Sequence, residues 1–543
     1  MASGFLLEDA RIVDGTGAPW FRGSVAVADG SIDAVYRQPN PDVTAVERID
    51  LDGDVLCPGF IDLHAHSDLR ILDEPELAPK VRQGITTEVL GQDGFSMAPL
   101  VDDASTREWK EHVEGLTGES TTTWTWGDIE DYLDAIDDGG AAVNAATLVG
   151  HGTVRFDVLG MADRDPTDAE LTEMADFVTA GLEAGAIGFS TGLVYPPQQN
   201  ASTHEVATLA ERLVPYGRPF VAHIRSEGRW IWDAFDEFVD IGSGADIPIH
   251  VSHFKVSGRT VRGKASRILE LFDTARDRGV DITADKYPYT AGNTMLTSIL
   301  PPWVHTDGPQ KRREYLRDDR VRDRIHREIE TWGIDDWENI AGKTGWDNMV
   351  VSNVEDEEHA HLNGRTIADI TSNRDGRPID TVCDILLDAG TGVSMIPYSQ
   401  TESDVREMLA HDRIAIGTDA LFGGTPHPRT YGTFPRILGH YVRDENLVSV
   451  EEAVRKCTSL AARAMGFDRK GIVRPGMDAD LVVFQPNVVE ECGTFENPRQ
   501  HPIGIPHVIV NGEFVVRDGE TTGQLPGRTI RAYSSCQRTF PRP

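Results

Sequence analysis

Two histidines one residue apart close the run Pro58-Gly59-Phe60-Ile61-Asp62-Leu63-His64-Ala65-His66. Residues i and i+2 of a strand share a face, so His64 and His66 can offer two imidazoles to one ion at the strand's carboxyl end. Imidazole suits zinc and related divalent metals. A lone His-x-His is equally compatible with two solvent-facing side chains, so the assignment depends on what else reaches the same place. Phe220-Val221-Ala222-His223 and Ile249-His250-Val251-Ser252-His253 are further apolar runs that end in histidine, and Ile414-Ala415-Ile416-Gly417-Thr418-Asp419 ends in a carboxylate. In the Ile249 run, strand alternation lets one parity point inward; His253 is taken as that residue and His250 as structural. Metal-assisted hydrolysis needs a group that takes a proton from water and passes it to the leaving nitrogen, a role that falls to Asp419.

The elements that must position these residues alternate in type. Short apolar runs end near His64/His66, Leu90, Gly150/His151, Ser190, His223/Arg225, His253, Asp285 and Asp419, with amphipathic stretches such as 168–184 and 266–278 between them. Eight βα units predict an α/β fold, a (β/α)8 TIM-like barrel whose chemistry sits at the strand carboxyl ends. In such a barrel the separate strand-end residues converge on one mouth. His151, in Gly150-His151-Gly152-Thr153, faces that mouth too, where it either orients substrate or fills the pocket. Residues 1–57 and 475–543 read as short β-runs broken by Gly and Asp, which predicts one small β-domain built from both termini, with the barrel spanning 58–474. Residues 296–350 break the rhythm with Pro301-Pro302-Trp303 and a charged helical stretch; this insertion after the seventh strand predicts a lid, a wall or a packing surface.

Composition narrows the partners. The formal charge of −36 opposes nucleic acid and anionic membranes, and no apolar run approaches the roughly 18 residues of a membrane span. The five cysteines include no CxxC pair and read as reduced and mostly structural. The amino-terminal residues lack the features of a secretory signal, so the expected location is the cytoplasm. Lysine occurs at only nine positions against a large acidic excess, which fits either a halophilic, salt-adapted protein or a merely acidic one. The oligomeric state is left open, a homo-oligomer included.

His64-Ala65-His66 after Pro58-Gly59-Phe60-Ile61-Asp62, followed by His223, His253 and Asp419, resembles the amidohydrolase superfamily. Gly188-Phe189-Ser190-Thr191-Gly192-Leu193-Val194-Tyr195-Pro196-Pro197, His223-Ile224-Arg225-Ser226-Glu227-Gly228, Tyr287-Pro288-Tyr289-Thr290-Ala291 and the stretch from His427 to Arg436 resemble its N-acyl-D-amino-acid deacylases (D-aminoacylases). The resemblance implies zinc, as one or two divalent ions. The firmly held ion would lie on a cysteine after the second strand with His223 and His253, and the weaker one on His64, His66 and Asp419. Here Asp93, in Gly91-Gln92-Asp93-Gly94, stands at the cysteine position. A carboxylate can bridge two ions and is a harder ligand than thiolate, which widens tolerance to Mn2+ or Co2+. The resemblance also implies that Lys255, Tyr287 and Arg429 hold the substrate's α-carboxylate, with Asn293 in place of the family's serine; two cations and a phenol suit that task.

The reaction implied is hydrolysis of the linear amide of an N-acyl amino acid of D configuration. Cyclic-amide hydrolases of the dihydroorotase or hydantoinase kind are the nearest alternative, but their bridging carbamylated lysine after the fourth strand has no counterpart in Gly188-Phe189-Ser190-Thr191. A non-catalytic metal- or ligand-binding relative would have no need of Asp419.

Overall fold

The structure is a computed structural model that describes residues 4–43, 47–118, 120–354 and 356–532. Its centre is a set of short, parallel, fully buried strands. Phe60–Asp62, Ile85–Leu90 and Asn144–Thr147 pair in that order; Val149–Gly150, Phe189–Gly192, Phe220–His223, Ile249–Val251, Ile282–Lys286 and Ile414–Ile416 form a second parallel sheet, also in chain order. Leu148 carries one sheet into the other and its amide donates to Leu90 (3.0 Å). At the opposite edge Ala65 and Ala420 form an isolated parallel bridge, and the Asp419 amide donates to the His64 carbonyl at 2.8 Å. Helices such as Asp168–Glu183, Ile231–Ala245 and Ala265–Asp277 lie between successive strands. Their buried residues, among them Val178, Phe235 and Phe272, join one large core with strand residues Phe189, Phe220 and Ile249. The architecture is mixed α/β.

Both ends of the chain enter one sheet. Val55–Pro58 pairs antiparallel with Leu481–Phe484 and parallel with Gly4–Ile12, in a nine-stranded sheet among the described residues. Leu7, Val25, Leu56, Leu481 and Ile509 form its inner layer. Phe60 follows Val55–Pro58 after Gly59 alone, so this sheet feeds directly into the first parallel strand; a Cβ at Gly59 would meet the Thr86 side chain at 2.1 Å. Residues 533–543, which the sequence reading assigns to this unit, lie outside the described residues, Cys536 among them. Cys57, Cys383 and Cys457 are buried free thiols and Cys492 is an exposed one. No helix among the described residues is long and apolar enough to cross a membrane.

The segment after the seventh strand is larger than its sequence suggests. Thr294–Met295, Met349–Asn353 and Ser394–Pro397 form an antiparallel sheet of their own, and a separate apolar cluster extends from Leu296 to Met395. The sequence reading ends it at 350; Met349–Asn353, at that boundary, pairs antiparallel with Ser394–Pro397 and so carries the segment's sheet further along the chain.

Candidate metal centre and active site

The site residues stand just beyond the strands. The first strand ends at Asp62 and the sixth at Val251, so His64, His66 and His253 are loop residues, and strand alternation is not what aims them. Backbone conformation does so instead: Asp93, His253 and Asp419 have φ of 55°, 35° and 51°, a left-handed region costly for a side chain as large as histidine. Surrounding bonds hold these turns. Asp62 accepts from the Thr418 amide (2.7 Å), the Thr418 hydroxyl (2.6 Å) and the buried Lys80 ammonium (2.7 Å), tying the first strand to the last. Lys80 also pairs with Glu88 at 2.6 Å. Asp285 Oδ1 accepts from the His253 amide (3.0 Å) and lies 3.1 Å from His250 Nε2. Gln198 Nε2 donates to the Asp93 carbonyl at 2.7 Å, and a Cβ at Gly94 would strike Gln198 at 2.2 Å, so that contact requires glycine.

These supports bring all six sequence-predicted metal ligands together. His64 Nε2 and His66 Nε2 are 3.3 Å apart. Asp93 Oδ1 lies 3.5 Å from His64 Nε2 and 3.4 Å from His253 Nε2, while Oδ2 lies 3.7 Å from His66 Nε2 and 3.9 Å from His223 Nδ1. Asp419 Oδ1 is 3.4 Å from His66 Nε2. Two overlapping donor sets result, His64/His66/Asp93/Asp419 and Asp93/His223/His253, each with its ligand atoms within 4.8 Å of one another. Asp93 belongs to both. All are buried, and among the atoms that face the cluster His223 Nδ1 and Asp93 Oδ1 have no protein hydrogen-bond partner. Buried polar atoms are rarely left so, and nitrogen and carboxylate donors facing inward from several loops fit one or two divalent cations. Electrostatics agree. Burial opposes charge on Asp93, yet His64 and His253 hold its carboxyl well below the usual range. Burial likewise opposes charge on Asp419, but Arg429 and His66 keep it ionised.

The centre opens on a cavity lined by Tyr195, His223, Glu227, His253, Lys255, Tyr287, Asn293, Thr294 and Asp419, with Glu338, Ile340 and Lys343 from the inserted segment. Lys255, Tyr287 and Asn293 thus face the space beside the donors, as expected. Arg429 does not line it: fully buried, its Nη1 lies 2.8 Å from Asp419 Oδ2, its Nη2 donates to the Asn293 carbonyl at 3.1 Å, and its guanidinium covers the Tyr287 ring at 4.7 Å. The Asn293 amide points away, donating to Met395 O (2.9 Å), whereas the neighbouring Thr294 hydroxyl lines the cavity and meets the Tyr195 hydroxyl at 3.0 Å. The expectation that His151 faces the mouth is not met. The strand ends at Gly150, His151 opens the helix His151–Leu159, and its Nε2 lies 2.8 Å from Glu205, which also binds Arg155 at 2.6 Å. Glu227, Asp285, Thr294 and the Glu338–Lys343 pair were missed. Glu227 is quoted within the His223–Gly228 stretch and Asp285 as a strand end, but sequence spacing does not reveal which groups they touch.

Comparison with known proteins agrees with this arrangement. Residues 47–516 match the Amidohydrolase family. The chain is 35% identical over 526 residues to D-aminoacylase of Alcaligenes xylosoxydans xylosoxydans, covering 97% of each chain. A solved D-aminoacylase described by its binuclear metal centre superposes with a TM-score of 0.82 at 34% identity, covering 97% of this chain and 99% of that one. N-acyl-D-glutamate deacylase from Bordetella bronchiseptica, solved with zinc and a phosphonate inhibitor, gives 0.83 at 31% identity over 98% and 100%. With its donor cluster, its cavity and a match over nearly its whole length, this chain belongs to the amidohydrolase family.

Proposed function

We propose that the protein is a metal-dependent deacylase that hydrolyses the linear amide of N-acyl-D-amino acids to a carboxylate and a D-amino acid. The observation that carries this reading is the cluster of four histidines, Asp93 and Asp419, of which His223, His253 and Asp419 line a cavity together with Lys255 and Tyr287. The similarity to D-aminoacylase and N-acyl-D-glutamate deacylase favours linear N-acyl-D substrates over cyclic amides. A divalent ion, zinc by its donor set, supplies Lewis acidity to the scissile carbonyl and acidifies water. His64, His66, Asp93, His223, His253 and Asp419 would hold one such ion, or two with Asp93 shared; the carboxylate donor admits Mn2+ or Co2+ as well.

Asp419 is the proton carrier. Arg429 on Oδ2 keeps it ionised and leaves Oδ1 toward the donors, so Oδ1 accepts a proton from the attacking water and returns it to the departing nitrogen. Lys255 and Tyr287 fix the substrate carboxylate, with Thr294 supplying the hydroxyl that Asn293 does not, and Arg429 standing behind Asp419. A carboxylate held at one end and a carbonyl at the other leave one enantiomer with its amide correctly presented.

The parallel sheets are read as one closed (β/α)8 barrel over residues 58–474, supported by the Ala65–Ala420 bridge. Residues 1–57 with 475–543 are the small β-domain. The segment from 296, including Glu338 and Lys343, serves as a cavity wall; Glu338 accepts from the Ser226 hydroxyl at 2.5 Å beside the fifth strand end. The acidic, lysine-poor sequence supports a cytoplasmic enzyme adapted to strong salt. A panel of N-acyl-D-amino acids, their L enantiomers and hydantoins tests the function. Turnover confined to N-acyl-D compounds is expected; hydrolysis of hydantoins alone overturns the reading.

A further inference from the structure

Glu227 follows the fifth strand and is buried. Its backbone is fixed by the Ser257 amide, which donates to the Glu227 carbonyl at 2.8 Å. Its carboxylate reaches three groups at once. Oε1 lies 3.1 Å from His253 Nδ1 and 3.7 Å from His223 Nε2, and it accepts from the Lys255 ammonium. The opposite nitrogens of the same rings face the donor cluster: His253 Nε2 and His223 Nδ1 are the atoms nearest Asp93. The two histidines therefore use different ring nitrogens inward, and both turn the other one to Glu227.

A neutral imidazole carries one N–H, and the partner on one nitrogen decides which lone pair is free on the other. A carboxylate beside the outer nitrogen keeps the proton there and leaves the inner lone pair for a cation, an arrangement that orients metal-binding histidines and strengthens them as ligands. Lys255 adds a second consequence. Its ammonium lies 2.8 Å from the same His253 Nδ1, and that nitrogen cannot accept from Lys255 while donating to Glu227. When His253 turns its Nε2 lone pair to a cation, Nδ1 bears the proton and donates to Glu227. Lys255 then loses its contact with the ring and keeps only Glu227 and the cavity.

We propose that Glu227 is a positioning residue that couples the Asp93/His223/His253 donor set to the substrate anchor Lys255. It sets the tautomer of His253, lies 3.7 Å from the outer nitrogen of His223, and holds the lysine that a substrate carboxylate would meet. This rests on the metal and anchor roles proposed above. A carboxylate that merely neutralised Lys255 would become dispensable for metal binding once the lysine's charge is removed, so Glu227→Gln in a Lys255→Met background separates the two roles.

The test is zinc affinity, measured by chelator competition on stripped and reloaded protein without substrate. Glu227→Gln is expected to weaken the tighter zinc site roughly 10- to 100-fold, in the wild-type and in a Lys255→Met background alike, while Lys255→Met alone, which frees His253 Nδ1 from the ammonium, does not weaken it. Thermal unfolding of the metal-free variants checks that they fold; should Glu227→Gln fail there, Glu227→Asp, which keeps the charge but withdraws it by one methylene, is expected to lose zinc affinity in the same assay. Wild-type affinity in Glu227→Gln, or in a folded Glu227→Asp used in its place, overturns the proposal. So does an equal loss in Lys255→Met. A wild type that binds no zinc overturns the metal assignment together with it. Failure of the substrate panel with the zinc result intact faults only the choice of substrate.

Discussion

Replacing Asp419 with asparagine separates chemistry from stability at this site. The amide keeps the shape of the carboxylate but cannot accept the proton, and general acid–base groups contribute about 10²- to 10⁴-fold, or roughly 3 to 5 kcal/mol at 1.36 kcal/mol per tenfold. The same change strands Arg429. That guanidinium is fully buried, with Asp419 Oδ2 at 2.8 Å as its anionic partner, and removing one partner of a buried ion pair costs about 3 to 5 kcal/mol. The Asn293 carbonyl at 3.1 Å and the Tyr287 ring at 4.7 Å soften the loss, so the lower end applies. Asp419→Asn should therefore lower both kcat/KM and the thermal midpoint. Adding Arg429→Met should recover stability but not turnover. The assay is initial-rate hydrolysis of an N-acetyl-D-amino acid at saturating zinc, with metal content and thermal unfolding of each variant. Turnover in Asp419→Asn within tenfold of wild type would refute its role as proton carrier.

Lys255→Met removes a charge-assisted contact worth about 1.5 to 3 kcal/mol, so kcat/KM should fall roughly 10- to 150-fold, chiefly through KM; an unchanged KM would contradict the anchor role. Glu205→Gln leaves Arg155 and His151 without their shared carboxylate and should cost about 3 to 5 kcal/mol in urea unfolding, while the folded fraction keeps full activity because His151 lies outside the cavity. Burial pushes the Lys456 ammonium down to about 8 from 10.5, only partly offset by Glu452. The unfolded chain then holds a proton that the fold has released between those pH values, so stability rises with pH across that window. The gap between wild type and Lys456→Met in urea unfolding should accordingly shift by up to about 3 kcal/mol in favour of wild type from pH 7 to 10.5; a constant gap would show that the ammonium is not desolvated.

The donors were legible because each ends an apolar run of its own, and independent runs ending in His64/His66, His223, His253 and Asp419 have little reason to coincide without a common destination. Strand alternation accounts for only part of their direction. Strand alternation stops at Asp62 and Val251, and left-handed turns at Asp93, His253 and Asp419 complete the aim. Asp93 was found only by its place in a resembling stretch. Glu227, in the loop after its strand, and Asp285, within the strand Ile282–Lys286, act through distances between separate elements, which spacing along the chain does not encode. His151 does not face the mouth because the helix starts at the residue immediately after the strand end, and the side chain follows the helix to Glu205. The inserted segment reads as 296–350 from its prolines, tryptophans and charged helix; the pairing of Met349–Asn353 with Ser394–Pro397 that extends it joins residues far apart in sequence. Asn293 and Thr294 both line the cavity, but the Asn293 amide donates to Met395 O while the Thr294 hydroxyl meets that of Tyr195, a difference that spacing does not show.

The central claim is that the shared His and Asp cluster holds the divalent ion on which N-acyl-D-amino-acid hydrolysis depends. Stripped protein, titrated with zinc while hydrolysis of an N-acetyl-D-amino acid and its L enantiomer is followed, tests it directly. The account predicts no turnover without metal, recovery within two bound equivalents per chain, and preference for the D enantiomer. Full activity in the stripped protein, or recovery for the L enantiomer alone, would contradict it.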